Sequence, residues 1–343
     1  MGVGGAEVRR LWNDLLRVRA QRQSPVESAT RPQLVETERG KPGSPVMPMP
    51  EASVLGPGRN RAFRLPQYFA IVNGVRTAFC DAGRGPAVVF IHGLAGDLTH
   101  WVYVAPHFVG RHRVIGVDLP ASGESERPRG PLSVRMFAKQ VHGLLDVLGV
   151  ERAAIVGHSL GGMVAAELAL LHPERVSRLV LINPAGFQKM PYVLRAAGHA
   201  FLRPAFVGEV FPHIWKRILD VVFCEQNEHT RAFVRSLEET YRTEDIHDIA
   251  ATIAGLRADF LDHDYLAVLD LLRQPMLLLW GADDLLTPAK ALRATAARMP
   301  NVTTRELPRC GHMPIIEQPA ETIRRIEAHL AAERPSGLAA AAR

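Results

Sequence analysis

Ala153-Ala154-Ile155-Val156-Gly157-His158-Ser159-Leu160-Gly161-Gly162 decides how this chain folds. Four apolar residues of strand character run straight into Gly-x-Ser-x-Gly, and a helix-prone stretch, Met163 to Leu171, follows at once. A serine on so tight a strand-to-helix turn is held in a strained backbone conformation that lifts its Oγ clear of a sheet edge. Side chains at Gly157 or Gly161 would collide there with neighbouring backbone. The helix that starts at the turn aims its free N–H groups and positive dipole end at the place where an oxyanion would develop. Ser159 is therefore the candidate nucleophile. The five-residue pattern alone arises by chance often enough that its surroundings must carry the assignment.

Downstream, Gln274-Pro275-Met276-Leu277-Leu278-Leu279-Trp280 is an apolar run of strand length ending in Gly281-Ala282-Asp283-Asp284-Leu285-Leu286-Thr287-Pro288. An acid thus stands just past a strand's carboxyl end. A second strand, Val302 to Leu307, leads into Pro308-Arg309-Cys310-Gly311-His312-Met313-Pro314, which puts a histidine on a loop at the same edge. A serine hydroxyl is a poor nucleophile at neutral pH, so His312 must take its proton and return it to the leaving group. A carboxylate must hold the imidazole in the right tautomer. By position alone Asp283 and Asp284 both qualify.

Working upstream, Ala87-Val88-Val89-Phe90-Ile91 is another buried-type strand and ends in His92-Gly93-Leu94-Ala95-Gly96. Tyr68 to Val72 and Val75 to Asp81 are joined by Asn73-Gly74, a two-residue hairpin signal. Strands near Val88, Val114, Ala154 and Leu179 alternate with helices expected near Trp101 to Phe108, Val134 to Leu148 and Met163 to Leu171. That alternation specifies a doubly wound α/β sheet, and ligands of such sheets bind beyond the strands' carboxyl ends, where all these reagents lie.

Serine, acid and histidine in this chain order, together with the His-Gly loop, resemble the α/β-hydrolase fold superfamily, in particular its serine esterase and lipase-like members with a helical cap. The likeness spans roughly Tyr68 to Ala332. It implies an α/β, doubly wound, mostly parallel eight-stranded sheet with a helical cap inserted after strand 6. It favours Asp284 over Asp283, because Gly-x-x-Asp-x-x-x-Pro aligns with Gly281, Asp284 and Pro288. It also implies an oxyanion hole made by the backbone N–H groups of Leu94, after Gly93, and of Leu160. His92 reads as a loop brace more than a reagent, and His158 as a packing or pocket-lining residue. Asp118-Leu119-Pro120-Ala121-Ser122-Gly123-Glu124-Ser125 resembles the family's Asp-x-Pro-x-x-Gly-x-Ser segment, with Ala121 where glycine is usual and Asp118 expected to bind local backbone N–H groups.

The resemblance implies hydrolysis of carboxylic esters with an apolar portion through an acyl-enzyme. Ser159 argues against haloalkane dehalogenases and epoxide hydrolases, whose elbow carries aspartate. Carbon-carbon bond hydrolases usually have a glycine-rich loop after His-Gly and a Trp after the catalytic His, where this chain has Leu94-Ala95-Gly96 and Met313. Thioesterase, lactonase, perhydrolase and acyltransferase chemistry uses the same reagents and stays open. A non-catalytic receptor or scaffold on the same fold is the reading from another class.

The 343 residues divide into a leader (1–61), a first core segment (62–185), a cap (186–270), a second core segment (271–333) and a tail (334–343). In the leader, Val8, Leu11, Trp12, Leu15 and Arg19 have helical spacing with arginines opposite, followed by a proline-punctuated linker. This basic amphipathic helix could dock on the core or on a second copy, rest on an anionic membrane surface, or remain disordered. The cap is rich in large apolar residues: Phe187, Tyr192, Phe201, Phe206, Phe211, Trp215, Leu219, Phe223, Phe233, Leu237 and Tyr241. Most are expected to form the cap's own core and a few to face the serine. Pocket candidates are His92, His158, Phe187, Trp215 and Met313.

A net charge of +6 would permit nucleic-acid binding, but the arginines are scattered without the basic-aromatic interleaving that single strands need. Three widely spaced cysteines, Cys80, Cys224 and Cys310, make neither a disulfide framework nor a zinc signature. Asp262-His263-Asp264 is a tempting ligand set, yet consecutive side chains rarely converge on one ion. No metal or cofactor is expected. The start lacks an apolar signal core and no run is long enough to span a bilayer, so a cytoplasmic protein is expected.

Overall fold

The computed structural model describes residues 47–48 and 65–332, apart from 189–191, 241–242, 297 and 299–301. The expected leader helix and the C-terminal tail lie outside the described residues. Eight strands form the sheet: β1 (Gln67–Val72), β2 (Val75–Ala82), β3 (Ala87–Ile91), β4 (Arg113–Val117), β5 (Ala153–His158), β6 (Val176–Ile182), β7 (Met276–Gly281) and β8 (Val302–Leu307). Their spatial order is β1-β2-β4-β3-β5-β6-β7-β8. β1 and β2 form the antiparallel hairpin, β2 also meets β4 antiparallel, and every later pairing is parallel. Met47 and Pro48 add a two-residue antiparallel bridge outside β1.

Local chemistry accounts for these elements. Asn73 and Gly74 both have positive φ, 48° and 79°, as a turn matched to the twist of its strands requires. All six residues of β5 and of β7 are buried, the continuous apolar pattern of strands covered on both faces. Ser133 caps α1 (Val134–Val147) by accepting from the Met136 N–H at 3.1 Å. α2 (Leu160–Leu171) is buried at all twelve residues, wedged between the sheet and α1, and so carries no polar stripe.

The expected helix at Trp101 to Phe108 is instead two 3₁₀ turns, Leu98–Trp101 and Ala105–Phe108. Asp97 starts the first by capping the Thr99 N–H at 2.8 Å, and Pro106, lacking an N–H, heads the second, so neither grows into an α-helix.

One core cluster packs α1, α2 and Trp280 on one face of the sheet. The other packs Trp101, Phe108, Ile316 and Ile326 on the opposite face. Between β6 and β7 the described residues form five α-helices, α3 (Tyr192–Phe201), α4 (Pro204–Val222), α5 (Glu228–Thr240), α6 (Thr243–Gly255) and α7 (Arg257–Asp262), followed by a 3₁₀ helix, Tyr265–Leu271. After β7 come α8 (Lys290–Ala296), α9 (Pro314–Glu317) and α10 (Pro319–Ala331). Among the described residues the insertion's separate buried cluster is Val207, Ala250 and Ala254, while Phe187, Phe223 and Phe233 are buried in the sheet's own two clusters, so most of the expected large side chains do not form a core of the cap alone; Tyr241 lies outside the described residues. Phe211, Trp215, Leu219, Phe233 and Leu237 line a cavity, while Tyr192, Phe201 and Phe206 are exposed. Among the described residues no helix is long and apolar enough to cross a membrane.

Candidate active site

Ser159 sits between β5 and α2 with φ 52° and ψ −115°, a left-handed conformation that costs a side-chain-bearing residue about 1–3 kcal/mol. The turn is closed by contact. A Cβ on Gly157 would lie 2.2 Å from the Gly161 carbonyl oxygen, and one on Gly161 would lie 2.2 Å from that of Ile91. Backbone bonds pin the serine further: its N–H donates to Ile182 at 3.0 Å and its carbonyl accepts from Gly162 at 2.9 Å.

His312 and Asp284 arrive from the loops after β8 and β7. His312 Nδ1 donates to Asp284 Oδ2 at 2.8 Å, both side chains being buried. Asp284 Oδ1 accepts the N–H groups of Leu286 at 2.8 Å and Thr287 at 2.9 Å, and Oδ2 accepts from the Thr287 hydroxyl and the Asn183 amide. Burial alone would raise this carboxyl, but the His312 and Thr287 bonds outweigh it and bring it down to about 2. Asp283 is exposed, and its N–H is tied to the Cys310 carbonyl at 3.0 Å. Of the two adjacent acids only Asp284 reaches the imidazole.

His158 Nε2 donates to the His312 backbone carbonyl at 2.8 Å, and the two rings lie 5.1 Å apart. Burial and the neighbouring His312 ring hold the His158 imidazole down to about 3, so it is neutral and does not oppose a proton on His312. Gly93 abuts His158 and the serine: a Cβ there would lie 2.9 Å from His158 Nδ1 and 3.2 Å from the Cβ of Ser159. Leu94 lines the cavity beside Ser159, and Leu160 is the first residue of α2.

The cavity measures about 400 Å³ and brings together Ser159, His312, His158 and Met313 from the core with Phe211 and Trp215 from the insertion. Two expected lining residues are elsewhere. His92 is fully buried as a brace, accepting the Leu119 N–H at Nε2 (2.9 Å) and donating from Nδ1 to the Gly93 carbonyl (2.7 Å). Phe187 is stacked on Tyr265, ring centroids 5.2 Å apart. Asp118 binds the N–H groups of Leu98 (2.8 Å) and Glu124 (3.0 Å), and Ala121 keeps the positive φ, 65°, of the glycine usual there. Asp262, His263 and Asp264 diverge: Asp262 faces His199, His263 faces Asp259, and Asp264 caps Leu266.

Three residues were missed in the sequence. Asn183, at the end of β6, donates to Asp284 and accepts the Gly281 N–H at 3.2 Å, so it orients the acid without being one. His100 is buried, lines the cavity and packs its ring over Gly96; its place just after the His-Gly loop was the available signal. Glu317, which binds the N–H groups of Gly311 and Met313 on either side of His312, carries no such signal.

The profile of the alpha/beta hydrolase fold family matches residues 86–319. An uncharacterized protein of Mycobacterium tuberculosis is 30% identical over 297 residues, 78% of this chain and 82% of its own. A 2-hydroxy-6-oxononadienedioate/2-hydroxy-6-oxononatrienedioate hydrolase of Comamonas testosteroni is 27% identical over 241 residues, 68% of this chain and 83% of its own. Among solved structures, a bacterial membrane phospholipase A superposes with a TM-score of 0.66 at 26% identity, covering 78% of this chain and 86% of that one. With its elbow serine, its parallel sheet and the acid–histidine pair at the sheet's carboxyl edge, the chain belongs to the alpha/beta hydrolase fold family.

Proposed function

We propose that this hydrolase cleaves carboxylic esters with an apolar acyl portion through an acyl-enzyme on Ser159. The observation that carries the reading is the His312–Asp284 pair beside Ser159 on the floor of a cavity whose walls are apolar. Ser159 Oγ attacks the ester carbonyl as His312 Nε2 takes its proton, Asp284 holds the imidazole through Nδ1, and the N–H groups of Leu94 and Leu160 receive the oxyanion. His312 then protonates the departing alcohol, and the same groups activate water for deacylation. The insertion between β6 and β7 acts as a cap whose side chains choose the acyl group.

Carbon-carbon bond hydrolysis is the second reading, favoured by relatives named for dienedioate substrates. Such substrates bring carboxylates, yet none of the described residues lining the cavity is Lys or Arg. A carboxylate taken into that cavity would lose its hydration without a cation to replace it. The likeness to a phospholipase, an acyl-ester hydrolase by name, points the same way as the apolar walls.

The test is labelling with a fluorophosphonate probe, followed by kcat/KM for nitrophenyl esters of increasing acyl length and for a 2-hydroxy-6-oxo-dienoate. Labelling at Ser159 with ester kcat/KM rising with acyl length is expected. Failure to label, or a dienoate turned over faster than every ester, overturns the reading.

A further inference from the structure

Glu317 ends α9, five residues beyond His312, and is only 4% exposed. Each oxygen of its carboxylate takes two backbone N–H donors, and the Cys310 thiol approaches Oε1 at 3.9 Å. Oε1 accepts the N–H groups of Gly311 at 2.9 Å and Met313 at 3.3 Å, the two neighbours of His312. Oε2 accepts those of Cys224 at 2.8 Å and Glu225 at 3.3 Å, in the segment that leaves α4. The Glu317 carbonyl accepts the Asn227 amide of the same segment at 2.8 Å. A buried carboxylate is costly to keep unless its oxygens are met by donors, and this one joins two backbone segments that have no strand pairing between them.

The same junction holds the base directly. The His312 N–H donates to the Val222 carbonyl at 2.8 Å, and Val222 is the last residue of α4. A Cβ on Gly311 would lie 2.7 Å from both the Cys224 nitrogen and the Val222 oxygen, so the two segments touch backbone to backbone. α4 also walls the substrate cavity with Phe211, Trp215, Ile218, Leu219 and Val222. Displacement of the Val222 end of this wall is therefore transmitted to the peptide of His312, and looseness in the histidine loop reaches that end of the wall.

We propose that Glu317 is a positioning residue for the His312 base: its carboxylate ties both neighbours of His312 to the end of α4, so that placement of the base and shape of the acyl pocket are set together. This rests on the serine hydrolase reading above. Glu317 touches no reacting atom. It acts by keeping Nδ1 on Asp284 and Nε2 toward Ser159 while the α4 wall contacts substrate.

The test uses the full-length protein carrying Glu317→Gln, whose amide offers one acceptor and one donor, so one of the two N–H pairs faces a donor. With active sites counted by fluorophosphonate labelling, kcat per labelled site is expected to fall by about tenfold to a hundredfold. The acid limb of the kcat/KM profile between about pH 5 and about pH 9 should move by about half a unit as the Asp284–His312 contact loosens. The ratio of long-chain to short-chain kcat/KM should change by about threefold or more. Glu317→Asp, which keeps the charge but is one methylene shorter, should recover part of each loss. A purely structural carboxylate would lower the melting temperature and the number of labelled sites, leaving kcat per site, acid limb and chain preference at parental values; that outcome overturns the proposal. If Glu317→Gln does not fold, Gly311→Ala wedges the same junction with Glu317 intact, and parental kinetics there overturn it equally. Failure of the parental protein to label would instead overturn the serine hydrolase reading.

Discussion

The floor and the roof of the cavity are held together by different physics. On the floor, polar atoms saturate one another: Asp284 takes bonds from His312, Asn183, Thr287 and Leu286, and His158 fixes the carbonyl of His312. Backbone lies so close to Gly157 and Gly161 that a Cβ on either would fall 2.2 Å from a carbonyl oxygen, which leaves the elbow no room to relax. On the roof, Phe211, Trp215, Ile218, Leu219 and Leu237 present apolar surface to the cavity, and among the described residues the roof's separate buried cluster is Val207, Ala250 and Ala254. Directional bonds and backbone contact admit one geometry, whereas apolar packing admits neighbours of similar size and shape. The reaction is thereby made rigid and the substrate choice adaptable.

Substitutions in the floor are accordingly expected to cost far more than those in the roof. The largest effect is expected of Ser159→Ala, which removes one partly buried hydroxyl, leaves the fold intact and lowers kcat for a nitrophenyl ester by roughly a million-fold. Residual turnover within about tenfold of the parent would move the nucleophile elsewhere.

Asp284→Asn comes next, with kcat expected to fall by about 10⁴-fold because the imidazole loses the partner that sets its tautomer. The same carboxylate gives the floor a pH signature. Its folded-state value, about 2, lies below the ordinary 3.8, so its stabilising contribution is complete above the ordinary value and is lost as pH falls through about 2. Denaturant titrations should show the stability advantage of the parent over Asp284→Asn shrinking by about 2 kcal/mol between about pH 5 and about pH 2. A constant difference over that range would mean that the His312 and Thr287 bonds do not hold the carboxylate.

In the roof, Phe211→Ala is expected to lower kcat/KM for long-chain esters by about tenfold while leaving acetate esters nearly unchanged. An equal loss on both would show that the roof also places the reagents. The smallest effect belongs to Asp283→Asn, expected to stay within about twofold of parental turnover because an exposed side chain outside the His312 contact is being changed. A large loss there would exchange the roles of the two acids.

The fold was legible wherever one short segment states its own constraint. Asn73-Gly74 announces a turn with two positive φ values, and the elbow's glycines record the contacts at Gly157 and Gly161 that no side chain survives. Strands such as β5 and β7 show their two-sided burial as unbroken apolar runs. The residues of the site were legible by type and order, but their selection was not. Asp283 and Asp284 are chemically identical neighbours, and burial beneath Asn183, 101 residues earlier, separates them. The large apolar residues of the insertion announce burial without saying whether it is in a core, against a cavity or at the surface, because hydrophobic attraction has no direction.

Sequence by itself thus determined the family, the sheet with its antiparallel start, and the serine, histidine and acid at one edge, since these depend on period, sterics and order along the chain. Tertiary structure alone decided which acid faces His312, which insertion side chains wall the cavity, and that Glu317 would bind donors six residues before it and 93 residues before it. Those outcomes depend on contacts between segments far apart in the chain, and no local pattern encodes the partner of a buried carboxylate.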